Sequence, residues 1–261
     1  MKTLSRENKT FIGYIIIGIC LVALGASVVS AIVLKGEPHD PETFCPMKIS
    51  AHTIVVLDKT DVLSPGQQKF VLDYIDKERD KLGALEKFSV FTLTENLHLN
   101  LEPVFSKCNP GTGKDANPLY QNPRKIQLRF DKLFADPLKE DVSGIFADGT
   151  SQKSPIFEMI RELTYRADFG EDVGQRKLII LSDMMQHTPE YSHYKSRPDY
   201  SAFVTAPYSD EVSANLYSVD VQIVYLLRDT LGKAQGKQHL KFWNEYLAAM
   251  GAGIVEVRNI R

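Results

Sequence analysis

Two aspartates end apolar runs that have the length of buried strands. Asp58 closes the run IVVLD, and Asp183 closes the run IILSD. Two hydroxyl side chains accompany them, because Thr60 lies two residues after Asp58 and Ser154 precedes an apolar stretch that indicates a helix. Hard divalent cations such as Mg²⁺ and Mn²⁺ take oxygen ligands and usually keep several waters. The four side chains therefore form a candidate cation site if the fold brings both strand ends together.

The elements around these residues predict such a fold. Apolar runs typical of strands alternate with helical patterns, and Ser64-Pro65-Gly66-Gln67 has the form of a helix start with a capping box. This alternation predicts an α/β fold with a mostly parallel, doubly wound sheet and helices on both faces. Ligands of such sheets gather at the carboxyl ends of the strands. The predicted strands are 52–57, 88–93, 99–105 at an edge, 177–181, 219–227 and 253–257, and the later helices are 124–135, 154–168 and 238–250.

In its order of elements the chain resembles the von Willebrand factor A family over about residues 50–258. That family has an Asp-x-Ser/Thr-x-Ser motif after its first strand, a Thr before a later helix and an Asp after its fourth strand, which together form a metal-ion-dependent adhesion site. Here Asp58 and Thr60 match the first two positions, Ser154 replaces the Thr, and Asp183 matches the last. Val62 departs from the pattern, because the family has a second hydroxyl there. The resemblance implies a degenerate adhesion site on a protein-binding domain.

The departure at Val62 leaves two interpretations of the site. In the first, the reduced ligand set still holds Mg²⁺ or Mn²⁺ with additional water, and an acidic side chain of a partner completes the shell. In the second, Asp58 and Asp183 cap strand ends and accept hydrogen bonds from loops. Binding of another protein is compatible with both, because the same face can recognise a partner without a metal.

A membrane-tethered phosphohydrolase is the alternative function. The sequence Asp58-Lys59-Thr60 after an apolar strand is similar to the motif of haloacid dehalogenases and P-type ATPases, in which the aspartate is phosphorylated. That chemistry would use Asp58 as nucleophile and Ser182 as a phosphate contact. It also requires a later acidic cluster to hold Mg²⁺ against the phosphoryl group. No such cluster follows Asp183, where Asp220 lies near the start of a strand, so the sequence favours a binding protein over an enzyme.

The connection over 184–218 is far longer than ordinary connections between elements. It leaves the sheet at the same edge as the two aspartates, and it is rich in aromatic residues, which are enriched in protein interfaces. We therefore expect a partner-binding surface there, formed by His187, Tyr191, His193, Tyr194 and Tyr200. The alternative is a loop that packs on its own domain and uses its tyrosines as local core.

Other site chemistries find little support. The spacing of six between His187 and His193 suits neither one helix face nor a zinc finger, and no cysteine accompanies them. A Gly-x-Ser-x-Gly nucleophile elbow is missing, and Gly111-Thr112-Gly113-Lys114 lacks the strand, spacing and hydroxyl of a phosphate loop. The formal charge of −2, from 31 basic and 33 acidic residues, gives no basic footprint for nucleic acid.

Residues 11–34 contain no charge and predict a single transmembrane helix. A cleaved signal peptide is the alternative, but its apolar region would be shorter. The segment is preceded mainly by basic residues and followed mainly by acidic ones: Lys2, Arg6 and Lys9 before it, and Glu37, Asp40 and Glu42 after it. The positive-inside rule then places residues 1–10 in the cytoplasm, 35–51 as a spacer and the domain of 52–261 outside.

Cysteine usage agrees with this orientation. Cys20 lies within the predicted span, so Cys45 and Cys108 are the only cysteines of the exported part. Two thiols in an oxidising compartment are expected to form a disulfide, although two free thiols are the alternative. The only Asn-x-Ser/Thr sequon begins at Asn8, on the cytoplasmic side, which favours a bacterial inner membrane and periplasm over a eukaryotic cell surface.

Overall fold

The computed structural model describes residues 6–33, 38–95, 101–119, 121–147, 151–232, 234–253 and 255–260. The chain divides into two compact units, and the boundary follows Pro38. The first unit contains one long helix, and the second contains every strand of the sheet.

Helix α1 (Arg6–Val33) lies in the first unit. Its large apolar side chains between Tyr14 and Val29 are exposed. The helix predicted over 11–34 is thus present, but its predicted role as a membrane span is not confirmed. In the part of the chain that the structure describes, no helix combines the length and the apolar character needed to cross a bilayer.

The second unit is built on one sheet of six strands. Its strands are β1 (Ala51–Asp58), β2 (Lys87–Leu93), β3 (Phe105–Cys108), β4 (Gln175–Ser182), β5 (Val219–Leu226) and β6 (Val255–Ile260). They lie in the order β3-β2-β1-β4-β5-β6, and only the β2 and β3 pair is antiparallel. This is the strand order of doubly wound folds, in which the direction of winding reverses between β1 and β4. The predicted α/β class is confirmed.

Helices cover both faces of the sheet. The helices are α2 (Pro65–Arg79), α3 (Pro123–Phe130), α4 (Asp136–Gly144), α5 (Ile156–Thr164), α6 (Tyr200–Phe203), α7 (Pro207–Glu211) and α8 (Lys237–Ala249), with a π-helical turn at Asp131–Ala135. One core forms where α2, α3 and α4 pack on the sheet, and the other forms where α5 and α8 pack on the opposite face. Because both faces are covered, the central strands are apolar on both sides.

Local sequence signals fix the start of α2. The Ser64 hydroxyl accepts a hydrogen bond from the Gln67 amide at 3.2 Å, and the Gln67 side chain accepts one from the Ser64 amide at 3.1 Å. Pro65 occupies the first turn, where its missing N–H costs nothing. The predicted capping box is therefore confirmed, and it sets the point at which the chain leaves the loop after β1.

Some element boundaries differ from the predicted ones. The edge strand predicted over 99–105 lies instead at Phe105–Cys108, and residues 96–100 are outside the described residues. Pro103 cannot donate to a strand ladder, and the first amide to bond β2 is that of Val104. The last strand continues to Ile260, three residues beyond the predicted end. The connection over 184–218 contains two short helices, α6 and α7.

The segment before β1 is tied to the edge of the sheet. Cys45 and Cys108 form the predicted disulfide, with a Cα–Cα distance of 4.9 Å. The Cys108 amide also donates to the Thr43 carbonyl at 2.7 Å, and Phe44 is buried. Residues 39–46 thus cover the outer edge of β3, although they lie in the segment that the sequence predicted to be a spacer.

Candidate functional site

The two aspartates meet at the point where the sheet reverses its winding. Asp58 is the last residue of β1, and Asp183 directly follows β4. These strands are neighbours, with Leu57 paired to Leu181. Doubly wound folds bind their ligands in the crevice at this reversal, outside the carboxyl ends of the strands. The structure therefore places both carboxylates where the fold offers a binding site.

Asp58 is buried and held by three hydrogen bonds. Its Oδ1 accepts from the Thr60 amide at 2.9 Å and from the Thr60 hydroxyl at 2.6 Å. Its Oδ2 accepts from the Ser182 hydroxyl at 2.6 Å. The Thr60 hydroxyl lies beside the carboxylate, as the motif predicts. Ser182 joins it from β4, so the first carboxylate is already oriented by the protein.

Asp183 is buried beside a cation that the sequence analysis did not single out. Its Oδ2 lies 3.5 Å from Nε of Arg228, and its Oδ1 accepts a hydrogen bond from the Met185 amide at 2.9 Å. Arg228 also donates to the Val62 carbonyl at 2.7 Å, and its own amide donates to Gln235 Oε1 at 2.7 Å. The guanidinium thus connects the end of β5 to the loop after β1.

A strained turn follows Asp183. Met184 has a left-handed backbone with φ of 59°, which is uncommon for a residue other than glycine. Its amide donates to the Ser182 hydroxyl at 2.7 Å, and its carbonyl accepts from Trp243 Nε1 at 2.9 Å. Strained backbone of this kind persists where the surroundings hold it, and it clusters at functional sites.

Burial of the two carboxyls raises their pKa values. For Asp183 the pKa rises to about 7, chiefly because of burial and then because of the negative charge of Asp58. The pKa of Asp58 is also raised by burial, against the hydrogen bonds from Ser182 and Thr60 that favour its charged form. Arg228 lowers both pKa values but does not cancel the effect. Burial therefore disfavours the ionisation of both carboxyls, which have a single guanidinium beside them.

Ser154 is the fourth predicted ligand, and its backbone pairs with that of His187. Its amide donates to the His187 carbonyl at 2.8 Å, and its carbonyl accepts from the His187 amide at 3.0 Å. Gln186 adds a cap to α5, because its Oε1 accepts from the Ile156 amide at 2.7 Å. The Ser154 hydroxyl is buried and has no hydrogen-bond partner. It lines a cleft of about 300 Å³ together with Thr60, His187 and Tyr194.

The donor set fits a hard divalent cation. Two buried carboxyls, the Thr60 hydroxyl and the unpartnered Ser154 hydroxyl are oxygen ligands of the kind that Mg²⁺ and Mn²⁺ take. Val62 adds no ligand, because its side chain contains no oxygen. Among the described residues, no three His, Cys, Asp or Glu side chains form a group that could hold a metal ion. A cation here would therefore depend on the hydroxyls and on water.

The residues predicted to bind a partner separate into two sets. His187 and Tyr194 line the cleft, with ring centroids 5.2 Å apart, and Tyr194 is half exposed. Tyr191 and Tyr200 are only partly exposed and pack against Phe242 of α8. His193 is buried, so its side chain is not at the surface as the sequence prediction required. The aromatic cluster of α5 and α8 draws these three inward.

His193 belongs to a buried hydrogen-bonded chain. Its Nδ1 lies 3.0 Å from His239 Nε2, and His239 Nδ1 lies 2.6 Å from the Tyr225 hydroxyl. Burial lowers the pKa of His193 to about 3 and that of His239 to about 4. His187 instead bonds the Ser192 hydroxyl at 2.8 Å. His187 and His193 therefore have separate hydrogen-bond partners.

The phosphohydrolase alternative is not favoured by this geometry. A nucleophilic aspartate must reach its substrate, but Asp58 is 2% exposed and both its oxygens accept hydrogen bonds. Ser182 donates to Asp58, so its hydroxyl is engaged rather than directed at a phosphate. Asp220 lies at the start of β5, at the opposite end of the sheet from Asp58. The arrangement suits binding better than covalent catalysis.

Comparison with known proteins adds little to this picture. No protein-family model matches the chain. No curated protein matches it either. One of the matching solved structures is a crystal structure of an aerotolerance-related membrane protein from Bacteroides fragilis with multiple mutations to serines. It is 11% identical, covers 80% of this chain and 90% of its own, and has a TM-score of 0.35. A match this weak says nothing about the function, and the fold class rests on the strand order itself.

Proposed function

We propose that this chain is a protein-interaction domain of von Willebrand factor A type that binds its partner at the winding reversal of the sheet, through Mg²⁺ or Mn²⁺. Asp58, Thr60, Ser154 and Asp183 would hold the cation. The observation that carries the proposal is the pair of buried carboxyls at the ends of the neighbouring strands β1 and β4. The Thr60 hydroxyl bonds Asp58, and Thr60 lines a cleft together with the unpartnered buried Ser154 hydroxyl.

The electrostatics of the site support the binding of an additional cation. A buried carboxylate is costly unless a cation or hydrogen-bond donors compensate it. Asp58 and Asp183 share one guanidinium, and the pKa of Asp183 still rises to about 7. A divalent cation would compensate both carboxylates at once, and it would give the Ser154 hydroxyl the partner that it lacks.

Arg228 would act as an internal counter-charge that tunes this affinity. Its guanidinium bonds the Val62 carbonyl at the position where the family has a second hydroxyl ligand. A positive charge beside Asp183 stabilises the metal-free site and opposes the entry of a second cation. The domain would therefore bind its cation more weakly than an equivalent site without the arginine.

The surroundings of the cleft suit a protein partner. Tyr194 and Val62 are 50% and 61% exposed, and the second cleft that Tyr194 lines, of about 770 Å³, also includes Arg228 and Leu227. Aromatic and arginine side chains are enriched at interfaces, where they supply contact area at low entropic cost. An oxygen of the partner would complete the cation's shell, and apolar contacts beside it would add affinity.

We further propose that the uncharged segment of residues 11–34 tethers this domain to a membrane, with the N-terminus in the cytoplasm and the domain outside, as a component of an envelope or mobile-element-encoded complex. The exposed apolar side chains between Tyr14 and Val29 support the tether. The disulfide between Cys45 and Cys108 supports an oxidising compartment. Fractionation and alkali extraction of membranes, with protease added to intact spheroplasts, test this topology. Digestion of the domain only after lysis would contradict it.

Site-specific photo-crosslinking tests the interaction. A benzophenone side chain is introduced at Tyr194 in the full chain, and at Tyr165 as a matched control, since Tyr165 is exposed at the end of α5. We expect a discrete adduct from Tyr194 that is lost with EDTA, restored by Mn²⁺ and lost in Asp183→Asn. The same adduct from Tyr165, or an adduct that is indifferent to both EDTA and Asp183→Asn, would contradict the proposal.

A further inference from the structure

The two edges of the sheet are treated differently by the chain. Strand β3 has only four residues, includes Lys107, and is covered by residues 39–46 through the Thr43 hydrogen bond and the disulfide. Strand β6 has six residues, contains neither Lys nor Pro, and forms the other edge of the described sheet. The charged residues of β6 are Glu256 and Arg258, and among the described residues no further strand pairs with its outer side. Unpaired backbone groups of an edge strand are a template for pairing with another strand.

The backbone of β6 shows which of its groups point away from the sheet. The Ile260 carbonyl accepts from the Leu227 amide at 2.7 Å, so Ile260 is directed toward β5. The backbone N–H and C=O groups of successive residues point to alternate sides of a strand. Those of Arg258 and Glu256 therefore also point toward β5. The amides and carbonyls of Val257 and Asn259 then point outward, where a further strand would bond them.

We propose that β6 pairs antiparallel with β6 of a second copy, about a two-fold axis at Val257. An isologous contact of this kind closes as a dimer. The charges of the strand select this register from the alternatives. With the axis at Glu256, glutamates face each other, and with the axis at Arg258, arginines do. With the axis at Val257, each Glu256 faces the Arg258 of the other copy.

The side chains are placed for these pairs. Glu256 and Arg258 lie on the same face of the strand, where Arg258 contacts Glu256 at 3.3 Å and the ring of Tyr74 at 5.7 Å. Both remain about half exposed. In the proposed register their positions oppose each other as non-hydrogen-bonded pairs, in which facing side chains are closest. Val257, which is 39% exposed, would meet its copy on the opposite face.

Disulfide formation across the axis tests the proposal in the full chain, kept in mild non-ionic detergent. The background is Cys20→Ser, which removes the free cysteine that the structure describes. Val257→Cys brings two thiols to a facing pair with Cα atoms about 5.5 Å apart, within disulfide range. Val204→Cys is the matched control, an exposed valine after α6. We expect an oxidised dimer from Val257→Cys only; equal yields, or none from Val257→Cys, would overturn the pairing.

Charge exchange tests the register. Glu256→Arg or Arg258→Glu, each added to Val257→Cys, places like charges opposite each other, and we expect the cross-linked fraction to fall by about tenfold. Mixing the two variants restores opposite charges in the heterodimer and should restore the cross-link. Cross-linking that persists in both single variants, or that fails to recover in the mixture, would overturn the register. These readouts need no divalent cation and are independent of the proposed cation site.

Discussion

Arg228 Nε lies 3.5 Å from Asp183 Oδ2 inside the domain, and this ion pair connects the ends of β4 and β5. The same guanidinium bonds the Val62 carbonyl and thereby closes the loop after β1. One arginine thus holds three strand-end segments around two buried aspartates. One guanidinium thus faces two buried carboxyls, and the proposed cation site rests on that imbalance.

Replacing Arg228 with Gln should change cation affinity and stability in opposite directions. Removal of a nearby positive charge should lower the Mn²⁺ dissociation constant by about tenfold. Without metal, the loss of the buried ion pair should reduce the free energy of unfolding by about 2–4 kcal/mol. Calorimetry and urea unfolding measure the two effects. The exposed Arg197→Gln is the control, and an Arg228→Gln protein with unchanged affinity would refute the counter-charge role.

Replacing Ser154 with Ala should separate binding from folding. The Ser154 hydroxyl is buried without a partner, so its removal should leave metal-free stability unchanged or raise it by about 1 kcal/mol. If the hydroxyl is a ligand, Mn²⁺ affinity should fall by about tenfold in the same protein. Ser192→Ala is a contrasting variant, because Ser192 bonds His187 and should lose stability instead. Equal Mn²⁺ affinity in wild type and Ser154→Ala would remove Ser154 from the ligand set.

Cation binding should strengthen as pH rises toward and past 7. Asp183 has a pKa of about 7, and its carboxyl must lose its proton to act as a ligand. Below that pH we expect affinity to fall by about tenfold per pH unit. The pKa of Asp183 is 3.8 in the unfolded chain and is raised to about 7 in the folded one. In the metal-free protein, the free energy of unfolding should therefore fall as pH rises between these two values. Mn²⁺ titrations between pH 5.5 and pH 8 check the slope, and a flat profile would contradict it.

Buried histidines should destabilise the domain in acid. Burial lowers the pKa values of His52, His193 and His239 to about 4, 3 and 4, against 6.5 when unfolded. The unfolded chain therefore binds protons first, and stability is lost as pH falls from 6.5 toward 4. Urea unfolding at successive pH values measures this loss. The free energy of unfolding should depend less steeply on pH in His193→Gln. An unchanged pH dependence in that variant would assign the loss of stability to other groups.

The disulfide should contribute strongly to stability. Cys45 and Cys108 are 63 residues apart in sequence, and the chain-entropy model gives about 4 kcal/mol for a loop of that size. Cys108→Ser should lower the free energy of unfolding by that amount, and a reducing agent should do the same to the wild type. Cys20→Ser should have no effect on the domain. A Cys108→Ser protein as stable as the wild type would show that residues 39–46 hold the edge of β3 without the bond.

The sequence carried enough information to place Asp58, Thr60 and Asp183, because a polar residue that ends an apolar strand has only one edge of a parallel sheet to occupy. It also predicted the start of α2, where Ser64 and Gln67 satisfy each other's backbone groups locally. Arg228 was missed although it follows β5 at the same edge. Its role depends on β5 lying beside β4, which is a property of strand order rather than of any local pattern.

The connection over 184–218 shows what the sequence could not predict. Tyr191 and His193 have the composition of an interface, but the aromatic rings of Phe157 and Phe242 draw them into the core. An irregular segment has no fixed period, so its sequence does not reveal which side chains face inward. The π-helical turn at Asp131–Ala135 likewise has no signal in a helical pattern. Tertiary packing decided these features.

Mn²⁺ calorimetry on three matched proteins tests the central claim most directly. The full chain is titrated at pH 7.5 as wild type, as Asp183→Asn and as Asp220→Asn, where Asp220 is an exposed acid at the far end of the sheet. We predict one binding event per chain in the wild type and in Asp220→Asn, and none in Asp183→Asn. Circular dichroism confirms that each protein is folded. Equal heats in all three folded proteins would show that the site at the carboxyl ends of β1 and β4 does not bind the cation.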